Sequence, residues 1–341
     1  MSPRALITGA QGFVGRYLVA DLLESDPNIR VLGVGRSHAC STFTHSVTLQ
    51  STRISAPLPD GIKPRSNDRR YEYVRSNIRD RTAMRAILRE FRPDVIFHLA
   101  SGLRDDAPHH LFGTSVEGTI GFLEAIHEAA LNLRALVIGS SGSVYGVPAR
   151  LPIAEDAPCE PRDFYAVSKL AEEQVSRIVA RERGLPLIVG RIFNIVGPGQ
   201  DERHVAGRFA AQLAAIAASN SSSRVKVGDL STTRDFIDVR DVVQALIVLG
   251  RRGERGRVYN VASGIETSVS KVLEVLIREA GLGEKVEVES TYSRPSDTPR
   301  VVADITRLRV AGYQPAISLE KSLSDVLEYY CAAMALVPQA S

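Results

Sequence analysis

The chain has 341 residues, a hydrophobic fraction of 44% and a formal net charge of +3, which describes a soluble globular protein long enough for one large α/β domain and a smaller lobe. The nearly balanced charge gives no electrostatic footprint for nucleic acid, and no apolar run approaches membrane length. Cys40, Cys159 and Cys331 are scattered without metal-ligand spacing, and Met1-Ser2-Pro3 leads straight into a strand, so we expect no metal, no signal peptide and a reducing cytoplasm.

Residues 4 to 7 read as a short strand, followed at once by Thr8-Gly9-Ala10-Gln11-Gly12-Phe13-Val14-Gly15 and an amphipathic stretch from Tyr17 to Leu23. Strand, glycine turn and helix form the context in which a dinucleotide binds. Gly9 permits the tight turn, Gly12 lets the pyrophosphate approach, and Gly15 allows close helix packing, with the helix start at Phe13 and Val14 facing the phosphates. The next strand, Ile29 to Val34, ends where an NAD-binding chain places a carboxylate against the ribose 2′-hydroxyl. Here the residues are Gly35-Arg36-Ser37. A missing acid and an available Arg36 favour NADP(H), with NAD(H) the alternative; the competing reading of Arg36 is a solvated loop cation.

Residues 37 to 70 are rich in Ser, Thr, Pro and Arg and long for a strand connection, and we expect a surface insertion there rather than a mobile flap. Further strands are predicted at Glu72 to Arg75, Val95 to Leu99, Ala135 to Ser140 and Leu187 to Arg191, with helical patterns between them. The alternation predicts an α/β, Rossmann-type doubly wound parallel sheet with a smaller discontinuous α/β substrate lobe. In Tyr165-Ala166-Val167-Ser168-Lys169 a lysine follows a tyrosine by four residues, on one helix face. Its ammonium can lower the phenol pKa and still reach a cofactor ribose, which makes Tyr165 usable as an acid or base.

After Asn194 the pattern becomes a loop, a helix from Ala206 to Ala218, a strand at Val225 to Val227 and a helix from Ser270 to Ala280, with Asp238 to Asn260 returning to the first domain. The expected units are 1–193 plus 236–262 for the dinucleotide and 194–235 plus 263–335 for the substrate. His98 is expected to pack rather than to react, and His109 and His110 lack a third metal ligand.

With these motifs in place the chain resembles the extended short-chain dehydrogenase/reductase family of nucleotide-sugar epimerases, dehydratases and reductases. The resemblance covers nearly the whole chain through His98-Leu99-Ala100, the run Ser140 to Gly146, Tyr165 to Lys169, Arg191 to Gln200 and Arg234 to Val239. It implies that Ser141 hydrogen-bonds the substrate oxygen and that Tyr165 and Lys169 complete the catalytic set. Leu99, Ala100, Asn77 and Ile78 would line the cofactor, and Asn194, Arg234 and Arg294 would hold the phosphates of a nucleotide-diphosphate sugar. Two stretches, Phe193 to Gln200 and Val227 to Val239, are similar to those of GDP-4-keto-6-deoxymannose reductases. Gly142 and Ser143 stand where 4,6-dehydratases need an extra acid, which argues against dehydration. The resemblance therefore implies NADPH-dependent reduction of a 4-keto nucleotide sugar, with a 4-epimerase as the rival and a non-catalytic NADP-binding sensor as the third reading. It also implies a homodimer through the helices Val116 to Ala130 and Tyr165 to Arg181.

Overall fold

The computed structural model describes residues 2–49, 52–62, 68–219, 223–291 and 298–335. From the N-terminus it runs β1 (Arg4–Thr8), α1 (Phe13–Ser25), β2 (Arg30–Gly35), β3 (Thr42–Leu49), β4 (Thr52–Pro57), β5 (Tyr71–Arg75), α2 (Arg81–Phe91) and β6 (Val95–His98). A short α3 (Pro108–Phe112) passes through a π-helical stretch, Gly113–Gly118, into α4 (Thr119–Glu128). Then come β7 (Ala135–Ser141), α5 (Phe164–Arg183), β8 (Leu187–Ile192), β9 (Asn194–Val196), α6 (Val205–Ser219), β10 (Ser223–Val227), β11 (Thr233–Asp238) and α7 (Val239–Arg252). The chain closes with β12 (Val258–Val261), β13 (Glu266–Ser268), α8 (Val269–Glu279), β14 (Val286–Ser290), α9 (Thr306–Val310) and α10 (Leu319–Met334).

Seven parallel strands form the central sheet in the order β12-β8-β7-β6-β1-β2-β5. The order reverses direction beside β1, so the carboxyl ends of β1 and β6 flank the crevice where such sheets bind ligands. Alternate side chains of each strand enter opposite layers, as a period of two requires. Leu6, Ile96, Leu136 and Ile138 pack with Met84, Leu88, Phe122 and Ile126 of α2 and α4. Ala5, Ile7, Val95, Phe97 and Val137 pack with Leu18, Leu22, Val242 and Leu246 of α1 and α7. Strands buried on both faces explain the nearly continuous apolar runs that mark them in the sequence.

Beyond this sheet β9, β11 and β13 form a three-stranded sheet, and β10 pairs with β14. Asp235, fully buried on β11, fixes the crossing segments by accepting hydrogen bonds from Ser263 N (2.8 Å), Ser263 Oγ (2.7 Å), Gly264 N (3.0 Å) and Ala303 N (3.1 Å). Asp238 caps α7 by accepting from Arg240 N at 2.7 Å and is paired with the Arg240 guanidinium.

The expectation of a surface insertion over residues 37 to 70 is overturned for its described part. β3 and β4 form an antiparallel hairpin whose Phe43, Val47, Leu49, Ala56 and Leu58 belong to the main apolar core. The Phe43 ring lies 5.8 Å from that of Phe13 and stacks on His45 at 5.1 Å. Gly199 leaves the room for it: a Cβ there would stand 2.2 Å from the Phe43 ring. Arg16 of α1 ties the strand start down by donating to Cys40 O at 2.6 Å and Thr42 O at 3.1 Å. A Ser- and Thr-rich composition hid this, because the apolar residues of the hairpin are few and widely spaced.

Phe43→Ala should therefore lower the unfolding free energy by about 3 kcal/mol or more, the usual cost of truncating a buried phenylalanine. Urea denaturation measures it; a loss within the error of the measurement would mean the hairpin is not part of the core.

Candidate active site

The glycine turn is built by close approach. Gly9 has φ of +72°, and a Cβ on it would lie 2.9 Å from Ala100 N. Gly15 meets the same turn from the helix side, where a Cβ would stand 2.3 Å from Gly9 O. Gly9 N donates to Val34 O (2.8 Å) and Gly12 N to Gly9 O (2.9 Å), which joins the turn to β2. Gly12 caps α1 without a side chain, so the first-turn N–H groups at Phe13, Val14 and Gly15 have neither an intrahelical partner nor a capping group. A bare helix start beside a cradle that any Cβ would fill fits a dinucleotide pyrophosphate.

Lys169 is the central charge. It is 2% exposed, and its ammonium donates to Gly139 O of β7 at 2.7 Å, to Ser101 Oγ at 3.4 Å and to the Glu172 carboxylate. Burial works against this cation, but the charges of Glu172 and Tyr165 outweigh it and raise its pKa above the ordinary lysine value. The bond to Gly139 ties the first turns of α5 to the end of β7, two residues before Ser141. Tyr165 precedes Lys169 by one helical turn, is half-buried, and carries the Arg104 guanidinium over its ring at 5.0 Å, with Arg104 paired to Asp163. Asp163 also caps α5, accepting from Ala166 N at 2.7 Å. Ser141 Oγ accepts from Ser143 N (3.2 Å) and Ser143 Oγ (2.9 Å) where β7 turns over Gly142–Tyr145.

A buried polar chain runs from the glycine turn to Lys169. Thr8 Oγ1 accepts from Leu99 N and Ala100 N, both at 3.2 Å, which leaves its own proton for His98 Nδ1 at 2.7 Å. That assigns the imidazole proton to Nε2, which donates to Thr119 Oγ1 at 2.9 Å; the Thr119 hydroxyl in turn donates to Glu172 Oε1 at 3.5 Å. Burial, aided by the Lys169 charge, pushes the His98 pKa down to about 3, so the ring stays neutral. Burial raises Glu172 to about 7, against the opposing pull of Lys169. His98 thus packs and bonds within the interior, as the sequence suggests.

A second network fixes the rear of the site. Glu173, fully buried, accepts from Arg191 Nη2 (2.8 Å) and Nε (3.0 Å) and from Ser140 Oγ (2.5 Å). Arg191 lies 4.7 Å over the Tyr145 ring, whose hydroxyl donates to Asn260 Oδ1 at 2.7 Å. Sequence reasoning missed Ser101, Ser115, Thr119, Glu172 and Glu173 as site residues. The spacing of Glu172, three residues after Lys169 on the same helix face, was the available signal.

The remaining candidates lie around this centre. Arg36 is exposed just past β2, its carbonyl accepting from Arg75 Nε at 3.0 Å, and Arg75 Nη1 meets His38 Nε2 at 2.8 Å, so two arginines and a histidine gather there. Asn77 is exposed and its Oδ1 accepts from Arg79 N at 3.1 Å, while Ile78 is buried under Gly118. Leu99 and Ala100 border the glycine turn. Asn194 begins β9 and Arg234 lies on the adjoining β11, where Phe236 pairs with Asn194. Arg234 Nη1 donates to Thr233 O at 2.7 Å. Arg294 lies outside the described residues. Among the described residues no group of His, Cys, Asp and Glu is placed to hold a metal, and no helix is long and apolar enough to cross a membrane.

The profile of the GDP-mannose 4,6 dehydratase family matches residues 6–326. GDP-6-deoxy-D-mannose reductase of Pseudomonas aeruginosa is 35% identical over 69% of this chain and 79% of its own length. UDP-glucose 4-epimerase of Mycolicibacterium smegmatis is 30% identical over 96% of this chain and 98% of its own. Among solved structures, RMD from Pseudomonas aeruginosa complexed with NADPH superposes with a TM-score of 0.78 at 29% identity, covering 97% of this chain and 99% of that one. UDP-glucose 4-epimerase from Thermotoga maritima with UDP-glucose gives 0.77 at 25% identity, covering 97% and 99%.

Because the pKa of His98 in the folded chain lies below the 6.5 of an unfolded imidazole, the unfolded state takes up the proton first as pH falls. Its contribution to stability is complete above that value and is lost on the way down to about pH 3. His98→Asn should flatten the acid limb of the stability profile in that window, by at most about 4–5 kcal/mol. Urea midpoints measured across the window would show the two profiles converging at low pH; parallel profiles would contradict the neutral assignment.

Proposed function

The chain belongs to the GDP-mannose 4,6 dehydratase family, and we propose that its activity is the NADPH-dependent reduction of a 4-keto nucleotide sugar of the GDP-4-keto-6-deoxymannose type. One observation carries the reading: Tyr165 and Lys169 stand on α5 beside the end of β7, and the residues that follow Ser141 there are Gly142 and Ser143, with no acid to protonate a leaving hydroxyl. The 35% identical reductase and the NADPH-bound neighbour support the same direction.

In this reading Gly9, Gly12, Phe13, Val14 and Gly15 hold the cofactor pyrophosphate, Asn77, Ile78, Leu99 and Ala100 its adenine and nicotinamide sides, and Arg36 the ribose 2′-phosphate. The bound nicotinamide supplies the hydride for the ketone carbon. Tyr165 gives its phenolic proton to the carbonyl oxygen as negative charge develops there, and Ser141 donates a hydrogen bond to the same oxygen. Lys169 stabilises the phenolate that Tyr165 becomes and would hold the nicotinamide ribose with the proton now on its longest contact, Ser101 Oγ at 3.4 Å. Asn194, Arg234 and Arg294 bind the diphosphate end, and that remote binding orients the ketone. The units would be 1–193 plus 236–262 and 194–235 plus 263–335. A cytoplasmic homodimer completes the reading, supported by free cysteines and by Phe164 and Ile178, which α5 leaves 62% and 47% exposed.

A nucleotide-sugar 4-epimerase is the second reading, favoured by the 30% identity that runs through nearly the whole of both chains. It would use Tyr165 in both directions and retain its cofactor through purification.

With GDP-4-keto-6-deoxymannose the purified chain should oxidise NADPH, and Tyr165→Phe should cut kcat by about 10²-fold or more. Failure to consume NADPH, with cofactor found still bound, would favour the epimerase. Arg36→Ala should raise the KM for NADPH by about tenfold, the loss of one charge-assisted contact, and leave that for NADH nearly unchanged. Equal effects on both cofactors would remove Arg36 from the 2′-phosphate site.

A further inference from the structure

Arg75 has no part in the reading above, yet it ends β5 opposite Gly35 of β2, and its side chain reaches the loop that carries Arg36. We propose that the cofactor 2′-phosphate is held by arginines from two strands, Arg36 just past β2 and Arg75 at the end of β5, with His38 beside them. This extends the NADPH reading and rests on it, adding a second residue that tells the two cofactors apart.

The loop is built from its neighbour strand. Three successive carbonyls are held from the β5 side: Gly35 O by Ser76 N (2.9 Å), Arg36 O by Arg75 Nε (3.0 Å) and Ser37 O by the Tyr73 hydroxyl (2.8 Å). A loop fixed in this way loses little freedom when it binds a ligand. Arg75 Nη1 lies 2.8 Å from His38 Nε2. A guanidinium only donates, so this nitrogen accepts and the neutral ring carries its proton on Nδ1. Arg75 Nη2, His38 Nδ1 and the whole Arg36 guanidinium are then left without a partner among the described residues.

Charge sets the place apart. Other exposed arginines have acids: Arg30 has Glu72, Arg81 has Glu128, Arg104 has Asp163 and Arg300 has Glu266. Among the described residues no carboxylate is bonded to Arg36, Arg75 or His38. Two cations fixed on one loop without a counter-charge repel each other, and an anion between them turns that repulsion into attraction. A phosphate monoester carries roughly two negative charges near neutral pH and accepts through three oxygens, which suits two guanidinium forks. A ribose 2′-hydroxyl offers no charge, so the arginines gain nothing from NADH.

The experiment measures equilibrium binding of NADPH and NADH, which differ only in the 2′-phosphate, to the whole chain by nicotinamide fluorescence without any sugar. Arg75 is exposed, so its truncation leaves the core intact. Arg75→Ala should raise the Kd for NADPH about tenfold, the loss of one charge-assisted contact, and leave that for NADH nearly unchanged. The double variant Arg36→Ala/Arg75→Ala should bind NADPH more weakly than either single variant. Equal effects of Arg75→Ala on both cofactors, no effect on either, or a double variant no weaker than Arg36→Ala would overturn the proposal while the NADPH preference of the native chain stands. A native chain that binds both cofactors alike would overturn that preference and the proposal with it. No turnover is needed, so a chain that binds NADPH and fails to oxidise it would count against the reductase reading alone.

Discussion

A single buried cation organises the site. Removing an ammonium from water costs several kcal/mol unless its protons find acceptors and a counter-charge is near. The fold supplies both for Lys169 from separate parts of the chain: a strand carbonyl at Gly139, a loop hydroxyl at Ser101 and a carboxylate at Glu172. Satisfying the lysine therefore ties α5 to the end of β7 and to the loop after β6. Tyr165 and Ser141 inherit their positions from that arrangement.

The same constraint reaches the glycine turn. Glu172 is bonded through Thr119 and His98 to Thr8, the residue that ends β1 and opens the glycine turn. Thr8 also receives the backbone of Leu99 and Ala100, which the missing Cβ of Gly9 allows to come close. The strand ends, the turn and α5 are thus one polar unit inside an apolar shell. A neutral His98 matters here, since a second cation beside Lys169 would repel it.

What the sequence made legible is what depends on local pattern. Buried strands read as apolar runs, the glycine spacing announced a close backbone approach, and Tyr165 and Lys169 announced a shared helix face. Contacts between distant segments were not legible. The β3–β4 hairpin looked like surface because its few apolar residues are separated by Ser and Thr, and only the space left by Gly199 makes room for Phe43. Glu172 shares the face of Lys169 by spacing, but in the sequence that pair also reads as a solvated ion pair, since spacing does not say that this face of α5 is covered. Arg36 was visible, but its neighbours Arg75 and His38 come together only through the pairing of β2 with β5.

The central claim is net reduction by an externally supplied cofactor, with Tyr165 as the acid. The most direct measurement uses NADPH carrying deuterium at the transferable position of its nicotinamide, a 4-keto nucleotide sugar and NMR of the product. The account predicts deuterium at C4 of the sugar, one equivalent for each NADPH consumed. No reduced product, with the added cofactor keeping its deuterium, would contradict it, and inversion at C4 of a 4-hydroxy nucleotide sugar without uptake of that label would assign the chain to internal hydride recycling.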